Sequence, residues 1–150
     1  MTEGRTIAVG DVHGCSAALA ALVRAFDPTA LDTLVFLGDY IDRGPDSRGV
    51  LDRLIDLGRR CRLVPLLGNH DQMLLDVRLG KYPISWLLDI GGTTTLDSYG
   101  PGRDLDLIPG EHYEYLEGCL DFHETDTHIF VHANYFPDLP MGEQPVGMLR

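Results

Sequence analysis

The chain has 150 residues, with 12 Lys and Arg against 23 Asp and Glu, a formal net charge of -11. This acidity excludes a general nucleic-acid binder, which needs a basic face to displace counterions. It permits a phosphorylated ligand, because bound divalent cations reverse the field inside a local cleft.

Thr6 to Gly10 is a short apolar run ending in glycine and predicts a buried strand. Ser16 is placed to cap the helix that follows over Ala17 to Phe26, which Asp27-Pro28 ends. Thr33 to Gly38 predicts a second strand. Ser47 to Leu57 has apolar residues near helical period, with Gly58 as its stop. Cys61 to Gly68 predicts a third strand, in which Pro65 calls for a bulge or an edge-facing position. Asp71 to Leu79, Pro83 to Ile90, Thr93 to Tyr99 and Pro109 to Leu120 predict short helices joined by Gly and Pro turns. Thr127 to Val131 predicts a strand paired with Asp121 to Thr125, and a Pro-rich loop follows Ala133. Strands alternating with helices in the first 70 residues imply βαβ units and a largely parallel sheet.

Hydrophobic residues make up 44% and charged residues 23%, the balance of a soluble globular domain. A chain of this length buries most of its apolar surface without disulfides. Cys15, Cys61 and Cys119 are odd in number and widely spaced. They predict neither a disulfide framework nor a zinc ribbon, and they fit a cytoplasmic setting. The opening MTEGRTIAVGD lacks the apolar core of a signal peptide, and no apolar run is long enough for a membrane span.

Open parallel sheets bind ligands outside the carboxyl ends of their strands. At those ends stand Gly10-Asp11-Val12-His13-Gly14, Gly38-Asp39-Tyr40-Ile41-Asp42-Arg43-Gly44, Gly68-Asn69-His70-Asp71 and Val131-His132-Ala133. Gly10, Gly38 and Gly68 are expected to let the backbone turn sharply beside a ligand. Carboxylate and imidazole groups suit manganese, iron or zinc, and a carboxylate such as Asp39 can bridge two cations. Each block alone has a plain reading. Asp11 with His13 reads as a surface or capping pair, Asp39 and Asn69 as turn residues, His132 as a core histidine, and Arg43 as a surface ion pair. Four such blocks, each directly behind an apolar strand, point instead to one site.

The blocks GDVHG, GDYIDRGPDS, GNHD and VHA resemble the motifs of the calcineurin-like metallophosphoesterase superfamily. Their extended forms resemble its phosphoprotein-phosphatase branch, which includes bacterial serine/threonine phosphatases and symmetrical diadenosine tetraphosphatases. GGTTTLDSYG, from Gly91 to Gly100, is similar to a segment of the bacterial members, and Asp71 in place of Glu also leans that way. The resemblance covers roughly residues 5–150. It implies an α/β fold with flanking helices, a β-sandwich core whose second sheet is incomplete, and a small helical insertion at about 71–120. It implies one domain over residues 1–150 and two divalent ions, manganese first with iron or zinc as alternatives. Asp11 and His13 would hold one ion, Asn69 and His132 the other, and Asp39 would bridge them. His70 would be the general acid, oriented by Asp42. Arg43, together with Asn69 and His70, would contact the phosphate. The implied reaction is phosphate-ester hydrolysis by a metal-activated hydroxide. Its substrate would be a phosphoserine/threonine protein, a dinucleoside polyphosphate or a small phosphomonoester.

Family members also carry a downstream Gly-His block, whereas this sequence ends at Arg150 with no histidine after His132. The expectation is therefore a chain lacking the family's C-terminal portion, of low stability or self-associating through an uncovered face. His112, His123 and His128 are substitutes in principle, each with a plainer reading as a surface or strand-packing residue. Cys15, beside the site, reads as a small buried residue. The rival to an enzyme is a non-catalytic metal-binding or interaction domain with an incomplete second site.

Overall fold

A computed structural model describes residues 4–150. Strands β1 (Thr6–Val9), β2 (Thr33–Phe36) and β3 (Arg62–Pro65) alternate with helices α1 (Ser16–Phe26) and α2 (Ser47–Gly58). The strands are parallel in the order β1-β2-β3, with Val9 opposite Phe36 and Phe36 opposite Pro65. All three carboxyl ends therefore lie on one edge, as the βαβ reading requires. The helical segment follows as α3 (Asn69–Arg78), α4 (Ile84–Leu87), a π-helical turn over Leu88–Gly92, α5 (Thr93–Tyr99) and α6 (Gly110–Glu117). Then β4 (Phe122–Glu124) and β5 (Ile129–Val131) form an antiparallel pair, with Phe122 opposite Val131.

Helix α2 shows why these elements assemble. Val50, Leu51, Leu54 and Leu57 recur near helical period and are buried, each contributing roughly 1.5–3 kcal/mol over exposure. Asp46 caps the helix by accepting from the Gly49 amide at 2.9 Å, an arrangement worth about 1 kcal/mol. The same core takes Leu34 and Phe36 from β2, Leu74 from α3, Leu96 from α5 and Leu116 from α6. The helices after residue 68 are thus packed on the sheet's core rather than appended to it.

Pro65 is the last residue of β3, which stops short of the expected end at Gly68. Its carbonyl accepts from the Leu120 amide at 2.9 Å, while the Leu66 amide donates to Phe36 O. The missing Pro65 N–H therefore faces away from β2 and breaks no bond of the β2–β3 ladder. Two expectations need correction. Ser16 does not cap α1, whose N-cap is Cys15 with no side-chain bond; the Ser16 hydroxyl donates to Asp46 instead. The region after Ala133 is not all loop, since a 3-10 turn over Met141–Glu143 and a short helix α7 (Val146–Leu149) follow. The α7 end returns to the site, where Leu149 O accepts from the Ala133 amide at 2.9 Å. Among the described residues, no helix is long and apolar enough to cross a membrane.

Candidate active site

The four strand-end blocks meet. The amides of Val12 and His13 both donate to Asp39 O, at 3.0 and 2.8 Å, and the Gly14 amide donates to Tyr40 O at 2.8 Å. This ladder fixes the β1 loop on the β2 loop. It also holds an unusual backbone: His13, Asp39, Asp42 and Arg43 have φ of 42, 53, 70 and 65°. A left-handed conformation costs such residues on the order of 1–3 kcal/mol each and persists only where the surroundings enforce it. Gly38 has a φ of 104°, and a Cβ there would stand 2.5 Å from Gly68 N. Only glycine lets the β2 and β3 loops close on each other. Gly10 does not share this constraint, because a Cβ there would meet nothing within 4 Å.

Asp71 ties the loops from inside. Its fully buried carboxylate accepts from the amides of Asp39 (2.8 Å), Tyr40 (3.0 Å) and Gly68 (3.1 Å). Burial, together with the Asp39 charge, pushes its pKa up to about 8, against three N–H donors that favour the ionised form. The Tyr40 hydroxyl adds a second tie by donating to Leu66 O at 2.6 Å.

The three histidines share one tautomer, set by what faces Nδ1. His13 Nδ1 lies 2.8 Å from Ile41 O, His132 Nδ1 2.7 Å from Leu37 O, and His70 Nδ1 2.8 Å from an Asp42 carboxylate oxygen. Each partner is an acceptor, so each Nδ1 carries the proton and each Nε2 presents a lone pair. Asp39 Oδ2 lies 3.5 Å from His13 Nε2 and 3.5 Å from His132 Nε2. Asp11 Oδ2 lies 3.9 Å from His13 Nε2, and Asn69 Oδ1 3.0 Å from His132 Nε2. Lone-pair donors from three other loops thus gather around the Asp39 carboxylate. That donor set fits divalent cations with mixed nitrogen and oxygen preference, such as manganese, iron or zinc. A peptide carbonyl behind the imidazoles of His13 and His132 is also the usual support of a ligating histidine.

Ligand atoms of Asp11, Asp39 and His132 lie within 4.8 Å of one another, as do those of His13, Asp39 and His70. Asp39 is common to both sets. His112 belongs to a separate group with Asp52 and Glu111. It is buried between the Tyr99 hydroxyl and the Asp52 carboxylate. His123 and His128 stack on Phe130. None of these three joins a group that contains Asp39.

His70 is buried, with its amide on Asp39 Oδ1 at 3.0 Å. Arg43 forks across the mouth, its Nη1 donating to His13 Nε2 at 3.1 Å and its Nη2 to His70 Nε2 at 3.0 Å. Asp42 is fully buried, and desolvation raises its pKa against the pull of Thr95 and His70. Cys15 is exposed, not buried as expected, and its thiol reaches only His13 O at 3.4 Å. Sequence reasoning missed the anchoring by Asp71 and the contact of Thr95 with Asp42. The GGTTTLDSYG block was the available signal for Thr95, but it carried no role.

A parallel α/β sheet with this carboxylate, imidazole and amide cluster at its carboxyl edge has the architecture of a metallophosphoesterase. Residues 4–144 match the calcineurin-like phosphoesterase family, and the chain belongs to that family. It is 45% identical over 131 residues to serine/threonine-protein phosphatase 1 of Salmonella typhimurium, covering 85% of this chain and 57% of that protein. It is 35% identical over 133 residues to a symmetrical bis(5'-nucleosyl)-tetraphosphatase of a Janthinobacterium species, covering 88% and 44%. A crystal structure of a candidate diadenosine tetraphosphatase superposes with a TM-score of 0.68 at 33% identity, covering 96% of this chain and 56% of that one. The chain thus spans about half the length of the curated relatives it matches.

Proposed function

We propose that the chain hydrolyses phosphate esters, using two divalent cations held by Asp11, His13, Asp39, Asn69 and His132. The supporting observation is the Asp39 carboxylate, equidistant at 3.5 Å from two imidazole nitrogens whose Nδ1 protons are committed elsewhere. When bound, such ions supply a hydroxide at neutral pH and relieve charge on the phosphoryl group.

The chain's own residues supply the rest. Arg43 presents two N–H groups in a planar fork that matches phosphate oxygens. To do so it exchanges His13 and His70 for the ligand. His70, released by Arg43 at Nε2 and held at Nδ1 by Asp42, would take up a proton from solvent at Nε2 and pass it to the departing oxygen. Manganese is the first choice of ion. A phosphoserine/threonine protein and a dinucleoside polyphosphate are the two substrate classes, following the activities named for the two relatives.

The test is hydrolysis of p-nitrophenyl phosphate with added Mn²⁺. Turnover that His70→Ala and Asp39→Asn each abolish supports the reading. Mn²⁺ binding without turnover would assign the chain to a metal-binding role instead, and absence of Mn²⁺ binding would overturn both.

A further inference from the structure

We propose that Thr95, backed by Ser47, is a positioning residue that aims the Asp42–His70 pair. This rests on the hydrolytic reading of the site and asks what holds its acid in place.

Asp42 uses one carboxylate oxygen for His70 Nδ1–H, at 2.8 Å, and the other for the Thr95 hydroxyl, at 2.7 Å. Thr95 has one hydroxyl proton, and the carboxylate takes it. Its oxygen is then an acceptor for the Asp42 amide at 2.8 Å, an N–H that Ser47 Oγ shares more distantly at 3.2 Å. The 2.9 Å contact with Ser47 must therefore run from the Ser47 hydroxyl to Thr95. One side chain thus clamps both the main chain and the carboxylate of Asp42, a residue with φ of 70°. Asp42, Ser47 and Thr95 are each 0% exposed, so no solvent molecule can replace a missing donor.

Thr95 is itself held from one helical turn away. His112 Nε2 faces the Asp52 carboxylate at 2.9 Å, which leaves Nδ1 to accept from the Tyr99 hydroxyl at 2.7 Å. Helix α5 is therefore pinned at Tyr99 and delivers Thr95 to Asp42. With the Thr95 hydroxyl gone, the Asp42 carboxylate has one donor and is free to turn, and His70 turns with it.

Two readouts test this on the full chain. The first is free of activity: histidine ¹⁵N–¹H spectra, with the His70 Nδ1 proton assigned by its loss in His70→Asn. That proton should be present in the wild type and in Thr95→Ser, and shifted upfield or lost to exchange in Thr95→Val. The second compares leaving groups with Mn²⁺ added. Proton delivery matters for phenyl phosphate, a poor leaving group, and hardly for 2,4-dinitrophenyl phosphate. Thr95→Val should lose on the order of tenfold or more in kcat on the former and less than about threefold on the latter, with KM little changed. Thr95→Ser should restore the wild-type pattern. Tyr99→Phe, which loosens the α5 pin behind Thr95, should lower the melting temperature and move the leaving-group pattern in the same direction as Thr95→Val, by less. A Thr95→Val chain that is folded and keeps the wild-type Nδ1 signal overturns the inference. Equal losses on both substrates also overturn it. A wild type that cleaves neither ester defeats the hydrolytic reading, and the spectra still decide on Thr95.

Discussion

The two ends of the parallel sheet are built on opposite terms. At the amino end, the Asp32 carboxylate accepts from the Arg5 amide (2.8 Å), from the Arg5 guanidinium (2.7 and 3.1 Å) and from the Thr29 amide (2.8 Å). Both oxygens of that carboxylate have donors. At the carboxyl end, Asp39 Oδ2 faces imidazole lone pairs, and four non-glycine residues sit at positive φ, against one, Asp27, beside Arg5 at the amino end. The strands are four residues each, so satisfaction and strain lie only about 13 Å apart. One end closes the sheet, and the other holds groups in arrangements that folding alone would not select.

Substitutions at the two ends should therefore separate binding from stability. Asp39→Asn, at the strained end, should weaken Mn²⁺ binding by more than about 100-fold, since even supporting residues cost 10–100-fold; titration calorimetry measures this. Asp71→Ala leaves three buried amides without an acceptor and should cost about 3 kcal/mol or more in urea unfolding. It is the substitution at the site end that behaves like one at the satisfied end. Mn²⁺ at 100 times its dissociation constant should stabilise the wild type by about 2.7 kcal/mol. That gain should survive in Asp32→Asn and vanish in Asp39→Asn, as thermal melts would show.

The smallest effect concerns acid. Asp32 is held well below the usual carboxylate range, first by the Arg5 side chain and then by the Thr29 and Arg5 amides. Because its folded pKa is lowered, its contribution is complete above about pH 3.9, the unfolded value. It disappears as pH falls through the folded value. Wild type and Asp32→Asn should therefore differ most at neutral pH and converge towards the acid limb. A gap that widens as pH falls would break the comparison.

Much of this contrast was legible beforehand. Apolar runs ending in GDVH, GDY and GNH located the strand ends, and the chemistry of those residues located the site. Asp71 was not legible as an anchor, because an acid in the first turn of a helix has ordinary helical reasons to be there. Thr95 acts on a residue 53 positions away, and no local pattern encodes that distance. Ser16 misled because its cap preference lost to a bond with Asp46 across the fold. Gly10 misled because its neighbours in sequence resemble those of Gly38, while the packing around the two differs.

Asp71 has one more consequence, and it concerns the order of events in maturation. Its three amide bonds join the β2 and β3 loops without using a side chain of Asp39, Asn69, His13 or His132. The donor set is therefore assembled by the polypeptide itself. Under the proposed function, folding would precede ion uptake, and metal scarcity would leave folded chains without ions rather than misfolded ones.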